Sequence, residues 1–155
     1  MRTIKFRAKI AKEHLDKLVE LELFDEYDKE KNEFIHGFPI IDGSENYLID
    51  GIADATQEYF QPEYWTPIDK ETLGQFTGLL DKNGTEIYEG DICIVHDSLY
   101  KGSVVNVTYN EELLSWCIDE SMPMYLYSGD GLNKNIVLEV IGNIHDNPEL
   151  LKGEK

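Results

Sequence analysis

Apolar and polar residues change rhythm several times along this chain. Residues 3–8 alternate apolar with basic side chains, which predicts a half-buried strand with Ile4 and Phe6 facing inward. Ala11, Leu15, Leu18 and Val19 then recur at helical spacing, and Lys12, Glu13, Asp16 and Lys17 fall mostly on the other face. That predicts a helix over residues 10–20, without a strong N-cap. Leu21, Leu23 and Asp25 open a new alternation. It runs into the polar stretch Asp28-Lys29-Glu30-Lys31-Asn32, and residues 34–38 read as the return strand of a hairpin. Turns are expected at Asp42-Gly43-Ser44 and Asp50-Gly51, with a short strand at Tyr47-Leu48-Ile49. Gln61-Pro62-Glu63 has no period and reads as loop. Residues 70–73 read as a single helical turn.

From residue 78 onward the signals are all β. Asn83-Gly84 supplies the positive φ angles of a tight turn, and Glu89-Gly90-Asp91 supplies another soon after. Ile92-Cys93-Ile94-Val95 is a short β-branched run. Val105, Val107 and Tyr109 lie on one face of an alternating segment, and residues 114–118 alternate again. Met124-Tyr125-Leu126-Tyr127 forms a fourth run and residues 136–141 a fifth. Pro148 is placed to open a short terminal helical turn. Short strands at regular intervals predict a small barrel or sandwich, and the length available suits an SH3-like barrel. The expected fold class is α+β, mainly β: an N-terminal α+β region over residues 1–77, then a C-terminal SH3-like β-barrel over residues 78–155.

Charge narrows the function classes. The 155-residue chain carries a formal net charge of −17. Its cations gather at the start, in Arg2, Lys5, Arg7, Lys9, Lys12 and Lys17, and acid dominates the rest. This balance opposes phosphate binding, because nucleic-acid affinity comes mostly from cationic side chains that release counterions. Cys93 and Cys117, the two cysteines, sit in apolar runs with no metal-ligand spacing, and are expected to be reduced thiols. The apolar runs are too short to span a membrane, and no apolar stretch follows the basic start as a secretory signal requires. A cytoplasmic protein is expected.

Some segments resemble a known family. Leu73-Gly74-Gln75-Phe76-Thr77-Gly78-Leu79, Asp81-Lys82-Asn83-Gly84 and Ile87-Tyr88-Glu89-Gly90-Asp91-Ile92 are similar to the core motif of the YopX family of phage and prophage proteins. Residues 140–151, Val-Ile-Gly-Asn-Ile-His-Asp-Asn-Pro-Glu-Leu-Leu, resemble its closing motif, and Ile4-Lys5-Phe6-Arg7-Ala8 resembles its opening motif. Residues 28–32 resemble a hairpin turn near the family's N-terminus. The chain departs from the pattern after Ala8, where residues 9–24 stand in place of a direct passage to a Trp-Asp-Lys hairpin. The resemblance implies an N-terminal α+β region, an SH3-like barrel and a phage or prophage origin in a bacterial host cell. It implies no activity and carries over no catalytic residue.

Candidate chemistry is thin. Asp81-Lys82-Asn83-Gly84-Thr85 resembles a calcium loop only superficially, since an EF-hand wants its glycine at position six and a glutamate at twelve. A hairpin turn explains the same residues. Asp25, Glu26, Asp28, Glu30 and Glu33 form a dense acidic segment that a solvated hairpin accounts for. His14, His36, His96 and His145 are scattered and never paired at helical spacing, and no serine lies in a nucleophile elbow. The expectation is a protein that is not an enzyme, with no cofactor and no metal. Trp65, Tyr125 and Tyr127 are the candidate interaction surface, set against core packing as the plainer use of aromatics. Phe76, Ile87 and Tyr88 are assigned to the joint between the halves. The acid is read as a solvated, self-repelling surface or as a decoy that engages a basic host protein. Expected partners are a host or phage protein and further copies of the chain. The alternative is a nucleic-acid-associated SH3-like module using the basic strip from Arg2 to Lys17.

Overall fold

The computed structural model describes residues 4–23, 32–43, 46–96, 101–119, 122–124 and 137–152. The chain divides into two compact units, one spanning Ile4–Gln75 and the other taking in Phe76 onward. The fold is mainly β, with antiparallel pairing throughout and one α-helix among the described residues.

In the N-terminal unit β1 runs Phe6–Ile10, α1 Lys12–Glu20, β2 Ile35–Ile41, β3 Asn46–Ala55, and β4 begins at Phe60. β4 is long, Phe60–Leu80, and the unit boundary falls inside it. β1 pairs with β2 through Phe6↔Gly37 and Ala8↔Ile35, and β2 with β3 through Pro39↔Leu48. β3 pairs with β4 through Leu48↔Thr66, and β4 returns to β1 through Ile68↔Ile10 and Gln75↔Phe6. The pairings therefore close on themselves. Side chains alternate across such a ring, so one parity points inward. Ala8, Leu48 and Ile68 are buried there, with Phe6, Ile35 and Leu73 packed against them. At Gly37 a Cβ would lie 2.4 Å from the Ile49 carbonyl oxygen, so only glycine lets β2 and β3 approach this closely.

The strand predicted at residues 3–8 starts later. Ile4 is 53% exposed, and Ala8 and Ile10 are the buried members of β1. The helix forms at its predicted place, with Leu15 buried and no side-chain cap at Ala11. Leu21 and Leu23 are exposed turn and bend positions rather than strand, because the helix ends there with Leu21 and Glu22 amides bonded back to Lys17 and Val19 carbonyls. β2 pairs with β1 and β3. The predicted turn at 28–32 lies, apart from Asn32, outside the described residues. Gln61-Pro62-Glu63 and residues 70–73 belong to β4, not to a loop and a helical turn. The first lacks a period because neither face of that stretch is buried, so solvent selects no alternation. At the second, Thr72 Oγ1 takes the Lys9 amide at 2.8 Å and bonds the Asp69 carbonyl, bridging a register shift in the β1–β4 ladder.

In the C-terminal unit the end of β4 pairs with β5, Glu86–Tyr88, through Phe76↔Tyr88 and Leu80↔Glu86. β6 (Asp91–Val95), β7 (Val104–Asn110), β8 (Ser115–Ile118), β9 (Met122–Pro123) and β10 (Leu138–Asn143) form a sheet in the order β10-β6-β7-β8-β9. A 3-10 helix at Pro148–Lys152 follows, where Pro148 predicted a turn. The predicted face of β7 holds: Val105 and Val107 are buried, while Tyr109, at the strand's end, meets Trp116 edge-on at 5.0 Å. Of the fourth predicted run only Met124 is described. β9 ends at Pro123, Met124 is buried in the core, and residues 125–127 lie outside the described residues. Ile87 is 1% exposed inside this unit's own core, beside Cys93, Val95, Val107, Ile118 and Met124. Phe76 and Tyr88 meet as tilted rings with centroids 5.5 Å apart across the β4–β5 pair, which accounts for their apolar character within one unit.

Candidate functional site

Turn chemistry comes first, because it decides whether the motif residues are free to react. Gly84 has φ +84°, as the Asn-Gly signal requires. Asp81 closes the turn. Its Oδ1 accepts the amides of Asn83 at 2.7 Å and Thr85 at 2.8 Å, and its Oδ2 accepts the amide of Val140 at 3.2 Å. Burial raises the Asp81 pKa, and these amides together outweigh it, holding the carboxyl below its ordinary value. The Lys82 amide adds a bond to the Leu138 carbonyl at 2.9 Å. The loop thus occupies the outer edge of β10, with a carboxylate and an amide standing where a neighbouring strand would pair. No metal reading is required. Among the described residues no group of three or more His, Cys, Asp and Glu side chains converges to hold an ion.

Asp91 plays the matching part in the second turn, its Oδ2 accepting the Tyr88 amide at 2.8 Å while the side chain is 1% exposed. Gly90, at φ +81°, donates its amide to the Val107 carbonyl and accepts the Ile144 amide, both at 2.8 Å. Both turns of the motif are structural.

One titratable cluster escapes the sequence reading. Glu139 Oε2 lies 2.8 Å from Lys82 Nζ and 2.5 Å from His96 Nε2. The Lys82 ammonium, then the His96 imidazole, holds the Glu139 carboxyl below its ordinary value. The contact to Glu139 needs a proton on Nε2, so that nitrogen has no lone pair left for Lys82 at 3.2 Å. The Lys82 ammonium and the His96 ring thus converge on one carboxylate oxygen of Glu139. No sequence signal could show this, since the partners come from a turn and two strands far apart in the chain.

Of the candidate interaction residues, the structure describes Trp65. Trp65 lies on β4 and is 71% exposed, stacked on Tyr47 of β3 with centroids 6.1 Å apart. Tyr125 and Tyr127 lie outside the described residues. What surrounds Trp65 is the exposed parity of the N-terminal strands. Register places Phe38, Ile49 and Trp65 in one row across β2, β3 and β4, since directly opposed residues share a face. Phe38 is 60% exposed. Further along β2 and β1 the same face carries His36, Arg7 and Lys9, with the Arg7 guanidinium 4.3 Å and the Lys9 ammonium 5.3 Å from the Phe34 ring centre. A cavity of about 310 Å³ lies between the helix and the strands, lined in part by His14, Lys17, Asn46, Tyr47 and Pro67. Core packing, the plainer expectation for aromatics, does not describe Trp65.

Beyond Ile49 the β3–β4 hairpin carries more exposed apolar surface: Ile52, Phe60 and Tyr64 are each more than half exposed. Its tip is locally built. Thr56 Oγ1 accepts the amides of Glu58 and Tyr59, and the Tyr59 hydroxyl donates to Asp54 Oδ2 at 2.7 Å. That carboxylate, then burial, raises the Tyr59 pKa above its ordinary value. The sequence did not reveal this hairpin. The exposure of both its faces removes the period on which strand recognition depends.

The described residues include no helix long and apolar enough to cross a membrane. Cys93 and Cys117 are buried and not joined in a disulfide, and burial pushes the Cys117 thiol up. The family described as YopX protein matches residues 5–152. The crystal structure of protein EF1440 from Enterococcus faecalis is similar over 97% of this chain and 99% of that chain, with a TM-score of 0.51 and 24% identity, which shows a shared fold. Among curated proteins nothing matches. The family match spans nearly the whole chain, and the chain belongs to the YopX family.

Proposed function

We propose that this YopX-family chain is a phage or prophage accessory protein that acts by binding other proteins through its acidic, strand-rich surface, and that it catalyses no reaction. The observation that carries the reading is the pair of exposed aromatics on the N-terminal strands, Phe38 and Trp65, with half-buried Tyr47 stacked on Trp65, in a chain of net charge −17. Exposed aromatics bind by excluding water, and surrounding acid selects cationic partners and rejects phosphate backbones. The motif carboxylates Asp81 and Asp91 are consumed by their own turns, which supports a scaffold role for the motif. The five-stranded antiparallel sheet of the C-terminal unit supports an SH3-like barrel there, and its buried thiols suit the cytoplasm of a bacterial host. The partner is a host or phage protein; association of copies is the competing use of the same surface.

The test is a tagged pull-down from bacterial lysate at low and high salt, read by mass spectrometry. One reproducible basic partner that dissociates with salt supports the reading, and recovery of the bait alone overturns it for that host. A nucleic-acid-associated module is the second reading, favoured by Arg7 and Lys9 over Phe34 beside His36. A mobility shift at moderate salt, lost in an Arg7→Ala, Lys9→Ala variant, would establish it.

A further inference from the structure

The β3–β4 hairpin is the surface least explained by the fold. β2 pairs with β3 only as far as Ile49, and β1 pairs with β4 only from Ile68. Between these limits, among the described residues, the two strands pair with each other alone. Residues 50–61 are exposed without exception. A two-stranded ribbon with no third strand and no core is marginal in water.

Its side chains are not those of a solvated ribbon. Trp65 is 71%, Tyr64 67% and Ile52 63% exposed. Register divides them between the two faces: Ile52 opposes Pro62 and Asp50 opposes Tyr64 on one, Ile49 opposes Trp65 on the other. An occupant has to cover both faces. Edge pairing is hindered, since Pro62 offers no amide and Gly51 sits at φ +71°. Recognition therefore rests on side chains.

Charge identifies the occupant. Residues 46–69 contain no Lys, Arg or His, while Asp50, Asp54, Glu58 and Glu63 lie along the ribbon. Covering its apolar groups brings these carboxylates out of bulk water, which is tolerable only beside cations. A second copy supplies them poorly. Its net charge is −17, and its Lys5, Arg7 and Lys9 are already engaged within the chain.

We propose that the β3–β4 hairpin is the docking element, and that it is taken up by a different protein whose surface combines Lys or Arg with apolar side chains. This deepens the acidic-surface reading and rests on it. The bonds of Thr56, Tyr59 and Asp54 hold the tip in shape beforehand, which lowers the ordering cost of docking.

The full chain tests this with Trp116→Phe, which leaves Trp65 as the sole tryptophan. The probe is a synthetic peptide of alternating lysine and valine, with a glutamate–valine peptide as its counterpart. The Lys–Val peptide should shift Trp65 emission to the blue and shield it from acrylamide, and the Glu–Val peptide should do neither. Ile52→Ser with Tyr64→Ser keeps every charge and should weaken binding at least tenfold. Asp50→Lys with Glu58→Lys should reverse the preference between the peptides. Unchanged affinity in the Ser variant overturns the hairpin assignment and leaves a charge-only acidic surface standing. No response to the Lys–Val peptide overturns it as well, while a salt-sensitive partner in the lysate pull-down would still uphold the broader reading. A blue shift that grows with protein concentration alone overturns it in favour of a second copy.

Discussion

The two units spend their apolar residues differently. The C-terminal unit gathers Ile87, Cys93, Val95, Val105, Val107, Ile118, Met124 and Leu138 into one buried cluster. The N-terminal unit buries Ala8, Leu48 and Ile68 in its cluster and leaves Phe38, Ile52, Phe60, Tyr64 and Trp65 exposed. Burial of apolar area is the main source of folding free energy. The first unit packs a large buried cluster while leaving side chains such as Leu80 and Leu114 exposed, and the second closes a ring of strands around a small cluster and presents Phe38, Phe60, Tyr64 and Trp65 to solvent. From Phe76 onward the core motif lies in the C-terminal unit, where Asp81 and Asp91 close its two turns. The exposed aromatic side chains of β4 before Phe76 lie in the other unit.

The largest effect expected from this contrast is at Ile87. Ile87→Ala removes a side chain 1% exposed within the large cluster and should cost about 3–5 kcal/mol in urea unfolding. Leu48→Ala in the small cluster should cost less, about 2 kcal/mol, because fewer neighbours hold the cavity open. Equal costs would break the comparison.

Asp81→Ala strands the amide of Val140 and two amides of its own turn, and about 1–3 kcal/mol should be lost. The same carboxylate gives a pH signature. Its folded pKa is depressed, so its stabilisation is complete above the ordinary value of 3.8 and disappears as pH falls through the lower folded value. Acid titrations should show this loss in the wild type below about pH 4 and not in Asp81→Asn. Gly84→Ala forces a side chain into the left-handed region with open space around it, so the backbone alone should cost about 1 kcal/mol.

The smallest stability effect should be at Trp65. Trp65→Ala should shift stability by no more than about 0.5 kcal/mol, because the ring is 71% exposed, while partner binding suffers. Hydrogen exchange sharpens the same contrast. Amides of the hairpin over residues 50–61 should exchange faster than those of β6 and β7. Protection of the hairpin equal to that of the core strands would contradict its description as unsupported.

Legibility in the sequence follows the same division. The strand face of β7 is readable because burial on one side imposes alternation, β6 is readable as a continuous β-branched apolar run buried on both sides, and Gly84 and Gly90 are readable because their turns need positive φ. α1 is readable through Leu15 and its helical neighbours. The long reach of β4 is not. Over Phe60 to Trp65 exposure removes the period, and over Asp69 to Leu73 a register shift hides it. Trp65 could be singled out by residue type, but its exposed row with Phe38 and Ile49 exists only through register.

The sequence by itself determined the family, the mainly β character, the two turns of the core motif and the acidic charge. All of these depend on local composition, short-range periodicity or backbone preference. Tertiary structure decided the closure of the N-terminal ring, the binding of the 81–85 loop to β10, the Lys82–His96–Glu139 cluster and the exposure of the β3–β4 hairpin. Each depends on residues far apart in the chain, and one sequence carries no record of which distant positions meet.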